Sequence, residues 1–529
     1  MTTEQDSKDL PDIEVGEDHV LAHNVDEEPV EANRRLFEGG LLKFVALLAI
    51  AYSAFHLYSL NIAPLETWSF RIVHIAGALV LGFVLFAGAR FVSSEEGGAR
   101  HRWTTWISAG AMLPALYVLY QTFSFWQMVQ NGAMRIPVEL EVWHFGWPLL
   151  AATGVGIVMS WFHQRERSVF SVPDLVLIVC SLAVAAYFLV VYNTSMRMST
   201  GTSFAPVGIS FAAIAGTALI MELTRRVAGM ALVIIGLVFL AYVFAGPYLP
   251  GFLGYPGLSV QRFFSQVYTD AGILGPTTAV SSTYIILFII FAAFLQSSKV
   301  GDYFVNFAFA AAGRSRGGPA KVSIFASGLM GMINGTSAGN VVSTGSLTIP
   351  LMKKVGYSKQ SAGAVEAAAS TGGQIMPPIM GAGAFIMAEI TGIPYTEIAI
   401  AAIIPAILYF ASVYFMVDFE AAKTGMRGMR EDELPKLRTM MKQCYLFVPI
   451  IILIVALFMG YSVIRAGTLA TVSAAVVSWL SPNKMGLRHI LQALEIASYM
   501  AIQIIVVCAA AGVIVGVISL TGVGARFSV

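Results

Sequence analysis

The chain has 529 residues, of which 57% are hydrophobic and only 12% charged, with a formal net charge of +1. This composition excludes an ordinary soluble globular protein and defines a polytopic membrane protein. The near-zero balance gives no electrostatic footing for nucleic acid, so the charges inform chiefly by where they sit between spans.

Residues 1–40 form an acidic leader in which Asp12, Glu14, Glu17, Asp18, Asp26, Glu27, Glu28 and Glu31 outweigh Lys8, Arg34 and Arg35. It has neither the basic start nor the apolar middle of a cleavable signal, and its bias predicts a disordered tail. Because about 20 apolar residues span the hydrocarbon, spans are expected near 41–61, 71–90, 104–122, 145–162, 173–193, 204–221 and 227–246. Basic residues mark alternate ends: Arg34 and Arg35, then Arg90, Arg100 and Arg102, then Arg165 and Arg167, then Arg225 and Arg226. This pattern places the N-terminus in the cytoplasm. Glu222, Arg225 and Arg226 read as topology anchors at a span end, and His74 as a lone packing histidine. Gly246 to Gly275 falls outside, where YPGLSVQRFFSQVYT can form a helix lying in the interface. Cys180, Cys444 and Cys508 have no paired metal spacing and read as small core residues.

An eighth span, 279–297, returns to the cytoplasmic side, where Arg314, Arg316 and Lys321 follow. The next apolar block, 322–349, is followed by Lys353, Lys354 and Lys359, so both of its ends carry the cytoplasmic signature. That predicts a re-entrant hairpin of two half-depth helices meeting at the tip NGTSAGN. A broken span follows at 361–392, with Gly372, Gly373, Pro377 and Pro378 at its waist. The prolines have no N–H, so the carbonyls of Gly373 and Gln374 are expected to lose their helical donors. Span 397–417 leads to a basic loop, and spans near 444–462, 465–481 and 494–520 finish the chain. The expected fold is therefore all-α, with about 13 transmembrane helices plus the hairpin.

An internal repeat shows at the end of the sequence. Span 279–297 leads into KVGDYF, and the last span leads into GVGARF, by the charge rule on opposite sides of the membrane. That is the inverted-repeat plan of secondary transporters, with the second repeat largely missing, so the sequence is expected to be incomplete. The expected divisions are the tail 1–40, an N-terminal unit 41–278, a first repeat 279–443, and connecting spans with the start of a second repeat at 444–529.

Irregular backbone at membrane depth survives only where it is buried in protein or lines a wet cavity. The candidate ion and substrate ligands are thus Asn334, Gly335, Thr336, Ser337, Gly339 and Asn340 at the tip, and Ser370, Thr371, Gly372, Gly373, Gln374, Pro377 and Pro378 at the break. Sodium favours hard oxygen ligands, and Gly335, Thr336, Ser337, Gly372 and Gly373 are the best placed to supply them. No Lys or Arg occurs between Lys321 and Lys353 or between Lys359 and Lys423, so an anion here must use half-helix N-termini. The competing reading of each small residue is close helix packing. Glu366, a turn or two inside the cytoplasmic end, reads as interfacial or hairpin-capping. No metal-spaced cluster or nucleotide loop appears within the spans, so neither an enzyme nor a cofactor is expected.

The motifs GGPAKVSIFASGLMGMINGTSAGNVVSTGSLTIPLMKKVGYS and EAAASTGGQIMPPIMGAGAFIMAEITG, with MELTRRVAGMAL upstream, resemble the fused permeases of tripartite ATP-independent periplasmic (TRAP) transporters, in particular the branch served by TAXI-type receptors. The resemblance implies a small membrane unit fused to a larger one, in the inner membrane, working with a periplasmic TAXI-type binding protein. It also implies sodium-driven uptake of organic anions, commonly carboxylates, by an elevator motion. The alternative is a truncated, non-transporting remnant or scaffold.

Overall fold

The computed structural model describes residues 33–527 except 90, 92–100, 134, 164–166, 192–199, 201, 203–204, 336, 432–433 and 482. The leader through residue 32, the topology markers Arg90, Arg100 and Arg165, and the tip residue Thr336 therefore lie outside the described residues. Among those that are described there is no β-strand, and nine helices are long and apolar enough to cross a membrane. Shorter apolar helices at Ala382–Thr391, Cys444–Phe458 and Val463–Ser478 accompany them. The chain is an all-α polytopic membrane protein.

In chain order the helices are α1 (Gly39–Asn61), α2 (Thr67–Leu85), α3 (His101–Gln130), α4 (Trp147–Phe162, entered through a π-helical turn, Leu140–Gly146), α5 (Val172–Val191), α6 (Val207–Val227) and α7 (Met230–Ala245). The expected surface helix is the eight-residue α8 (Val260–Val267), which buries Phe263 and Val267 and exposes Gln261 and Arg262. α9 (Pro276–Ser297) is 89% buried over its apolar window, because α19 (Leu487–Thr521) and α18 (Val463–Ser478) pack along it. At the other extreme, α15 (Tyr395–Thr424) is 6% buried although it is equally apolar. A helix apolar all round and this bare is a lipid-facing helix.

α10 (Val300–Ala312) leads to α11 (Gly318–Asn334) and α12 (Ser337–Lys354), which pack on each other, and then to α13 (Lys359–Gly372). At 1.5 Å per residue the hairpin arms are roughly 26 Å long, well beyond the half-depth expected from sequence. α14 (Ala382–Thr391), α16 (Leu437–Lys442), α17 (Val448–Phe458) and the terminal α20 (Val523–Phe527) complete the set.

The segments KVGDYF and GVGARF share one local feature. After α9 a single left-handed residue, Lys299 (φ 58°), starts α10, and after α19 a single left-handed residue, Gly522 (φ 68°), starts α20. Gly512 and Gly516 of α19 lie against Gly272 to Thr277 at the start of α9. α19 therefore ends where α9 begins, and the two linkers KVGDYF and GVGARF sit at opposite ends of the pair.

Candidate functional site

The hairpin tip and the broken helix meet. α11 ends because Gly335 takes φ 62°, a left-handed conformation that favours glycine, and its N–H still bonds the Gly331 carbonyl at 3.3 Å. A Cβ on Gly331 would stand 2.2 Å from the Gly373 Cα, and one on Gly335 would stand 2.7 Å from the Met380 carbonyl oxygen. Only glycines allow two backbones this close.

α13 ends at Gly372, and after one 3₁₀ turn, Gly373–Ile375, the chain stays non-helical until α14 begins at Ala382. The Pro377–Pro378 bond is cis. Tyr395, stacked on Phe385 at 4.2 Å, donates its hydroxyl to the Pro378 carbonyl at 2.7 Å and also reaches that of Ile379. The break is as predicted, but the freed carbonyls are not. Gly373 O accepts from the Met376 N–H at 3.2 Å and Gln374 O from the Gly381 N–H at 2.7 Å, so the turn itself re-satisfies both. Each keeps a second lone pair.

The remaining candidates divide. Asn340 is buried; its Nδ2 donates to the Ser327 carbonyl at 2.8 Å, while its Oδ1, equally buried, has no hydrogen-bond partner among the described residues. A Cβ on Gly373 would lie 2.8 Å from that Nδ2, which places Asn340 at the waist. Gln374 Nε2 donates to Ser337 Oγ at 3.0 Å across the gap. Gly339 is half-buried and its carbonyl takes the Ser343 hydroxyl at 2.8 Å. Gly372 packs against Tyr409 and Phe410. Thr371 is exposed and returns its hydroxyl to the Ala367 carbonyl, away from the tip. Ser370 is buried and bonds Glu366 at 3.1 Å. Asn334 closes α11 with its backbone, its side chain lying outside the description.

Four helix ends converge here. α11 and α13 bring their C-terminal ends, where unpaired carbonyls favour a cation; α12 and α14 bring their N-terminal ends, where unpaired N–H groups favour an anion. Neither α12 nor α14 has an acid in its first turn to occupy that end.

Several functional-looking residues were missed or misread from sequence. Glu366, read as interfacial or hairpin-capping, is fully buried between both hairpin arms and its own helix, bonded by Ser323 at 2.7 Å, by Ser327 and Ser370 at 3.1 Å, and by Thr344 and Thr348. The signal was present, since Ser323/Ser327, Thr344/Thr348 and Glu366/Ser370 are each spaced i,i+4 and so share a face. Glu222 and Arg226 are more than topology anchors. Arg226 pairs at 2.7 Å with both Glu222 and Asp174, and Arg35 also pairs with Asp174, all four buried; the half-exposed Arg225 joins Glu222 at 2.8 Å. His74 is not alone: its Nδ1 faces His56 Nε2 at 2.8 Å. Cys180 and Cys508 are buried as expected, but Cys444 is exposed, because it opens a 3₁₀ turn ahead of α17 rather than lying within the span.

An all-α membrane protein in which a glycine-tipped helical hairpin abuts an unwound helix belongs to the class of polytopic proteins built on interrupted helices. Within that class the chain belongs to the family described as the tripartite ATP-independent periplasmic transporter, DctM component, whose model matches residues 215–529, 315 of the 529. This is a family of transporter permeases. The chain is 37% identical over 91 residues to the C4-dicarboxylate TRAP transporter large permease protein DctM of Vibrio cholerae, covering 17% of this chain and 20% of that protein. It is 30% identical over 151 residues to the protein of the same name from Rhodobacter capsulatus, covering 28% and 34%, and 25% identical over 138 residues to an uncharacterized protein, y4mL, of Sinorhizobium fredii, covering 26% and 32%. The matches thus span a fifth to about a third of these relatives' lengths.

Proposed function

We propose that the chain is the membrane permease of a sodium-coupled secondary transporter in the inner membrane, with its N-terminus cytoplasmic, taking up organic anions delivered by a periplasmic binding protein of the TAXI type. Carboxylates are the substrate class, in keeping with the C4-dicarboxylates in the relatives' names. In this reading 41–278 is the unit corresponding to a fused small subunit, 279–443 the transport repeat, and 444–529 the connecting spans and second-repeat start. Residues 322–349 enter and leave the membrane on the cytoplasmic side. The observation that carries the proposal is the meeting of four helix ends at Gly331, Gly335 and Gly373 around the buried Asn340 Oδ1, which has no partner among the described residues. A hard oxygen beside two C-terminal helix ends fits sodium, and two N-terminal ends fit a carboxylate without any buried arginine.

The test is uptake of a radiolabelled C4-dicarboxylate into proteoliposomes holding the permease and its binding protein. Uptake should fall at least about tenfold when external sodium is replaced by potassium. Undiminished uptake in potassium removes sodium from the mechanism.

A further inference from the structure

We propose that a groove between α1, α2, α3 and α5 is a seat for one acyl chain of a bilayer phospholipid. The groove has a volume of about 570 Å³ and lies on helices that carry neither the hairpin nor the break.

Its shape suits a chain. On α2, Val73, Ala76, Gly77 and Val80 line it, recurring at i, i+3, i+4 and i+7. On α5, Leu182, Ala185, Ala186 and Leu189 do the same with the same spacing. Each stripe is therefore one helix face, roughly 10 Å long, with small residues at its centre. From α1 the Tyr52 ring lies so close to Gly77 that a Cβ there would stand 2.3 Å from it, so the ring takes the space of the missing side chain. Because α2 and α5 pack directly on each other, their axes stand about 8–10 Å apart, too little to admit a third helix about 10–12 Å across. An unbranched hydrocarbon chain fits between the stripes.

Its chemistry admits nothing polar. Among the described residues Tyr52 is the one lining residue with a polar side chain, and its hydroxyl is turned away to His74, donating to the carbonyl at 2.7 Å and lying 3.2 Å from Nδ1. A water needs at least two polar partners, so the groove does not hydrate, and a carboxylate would lie there without a donor. Left empty, the walls would forfeit their dispersion contacts on one side. Hydrocarbon is what remains.

The bilayer reaches the groove. Trp106 and Trp126 of α3 are both exposed and stand 20 residues apart. That is roughly 30 Å of helix, the thickness of the hydrocarbon, with an indole at each edge. Leu113 and Leu116 between them are exposed, and Leu119, which lines the groove, falls between the same marks. Leu182 and Leu189 are 41% and 45% exposed, so the groove opens sideways at hydrocarbon depth and continues the lipid-facing surface of α3.

The test is photolabelling of the full chain in phosphatidylcholine nanodiscs doped with a phospholipid that carries a diazirine at the middle of one acyl chain, the labelled positions being read by peptide mass spectrometry. It requires no transport, so its failure leaves the transport proposal untouched. The bare face of α15 at Ile404 and Leu408 reports ordinary annular lipid. Labelling of residues 73–80 and 182–189 should exceed that of α15 several-fold. Ala186→Phe, which fills the groove, should lower it to the α15 level while the labelling of α15 itself stays the same. Ala76→Leu fills the groove from the opposite wall and should act alike, so the outcome does not depend on one variant folding. Equal labelling of groove and α15 in the parent means annular lipid only and overturns the proposal. Strong groove labelling that survives both substitutions overturns it too, as does a lining without label beside a labelled α15, which would give the groove to another occupant.

Discussion

At the scale of single residues, the most consequential side chains are charged groups that composition alone would place at the surface. Asp174 holds Arg226 at 2.7 Å and also pairs with Arg35, and those guanidiniums reach the carbonyls of Phe83, Val84 and Phe86 at 2.8 to 2.9 Å, closing the end of α2 against α5 and α6. Breaking one partner of a buried network leaves an uncompensated charge and costs about 3–5 kcal/mol. Asp174→Asn should therefore lower the melting temperature in detergent far more than Arg314→Gln, whose salt bridge to Glu431 is exposed and contributes at most about 1 kcal/mol. Equal melting temperatures would show that the network is energetically neutral. The arginines at 225 and 226 were legible in the sequence as markers of a cytoplasmic end. That Arg226 is buried was not, because its acid Asp174 is 52 positions away and only folding brings them together. Gly331 offers a cleaner case. A methyl there meets backbone, not a movable side chain, so Gly331→Ala should cost about 1–3 kcal/mol and separate hairpin from break. Its readout is loss of a disulfide between cysteines placed at Ser337 and Gln374, which face each other in the parent at hydrogen-bond distance.

Among the elements, the two interrupted segments were readable because glycine and proline leave local marks that tertiary context does not erase. What was not readable was how the break heals. The prolines remove donors, yet Met376 and Gly381 supply N–H groups from within the loop, and Tyr395, 17 residues beyond Pro378, holds its carbonyl. Replacing Pro377 and Pro378 by alanine restores two donors and lets α13 extend. The prediction is normal surface expression, since apolar length hardly changes, with sodium-dependent uptake reduced at least about tenfold. Near-normal uptake would mean that the prolines only shape packing. The hairpin carries a second test. Arg314 before α11 and Lys353 at the end of α12 are both exposed. On a cysteine-free background, cysteines at these positions should react with an impermeant maleimide from the same, cytoplasmic side. Labelling from opposite sides would turn the hairpin into a crossing pair.

In the molecule as a whole, α1 and α2 are wired into α19 and α9. Ser53 of α1 donates to the Leu494 carbonyl of α19 at 2.8 Å, and Ser498 of α19 donates to the Ala49 carbonyl of α1 at 2.6 Å. A second connection runs through the histidines. His56 Nδ1 lies 2.8 Å from the Tyr52 carbonyl, which can only accept, so in the neutral ring that nitrogen carries the proton and Nε2 accepts. His74 must then donate from Nδ1 to His56, leaving its Nε2 to accept from Ser281 of α9 at 2.9 Å. The order of hydrogen bonds thus fixes both tautomers. Sequence showed two histidines 18 residues apart on different spans, with nothing to say they met. His74→Ala strands His56 Nε2 in a fully buried site, the Ser281 hydroxyl keeping the Thr278 carbonyl at 3.2 Å, and a buried polar group without a partner costs about 1–3 kcal/mol. Because the junction lies between the N-terminal helices and α9, this loss should be felt by the entire fold. Thermal unfolding of the variant, followed by tryptophan fluorescence and by trypsin cleavage, should show one transition at a lower temperature than the parent by both probes. Two separated transitions, with the N-terminal helices melting first, would show that the halves are independently stable and that the histidine pair is a local contact only.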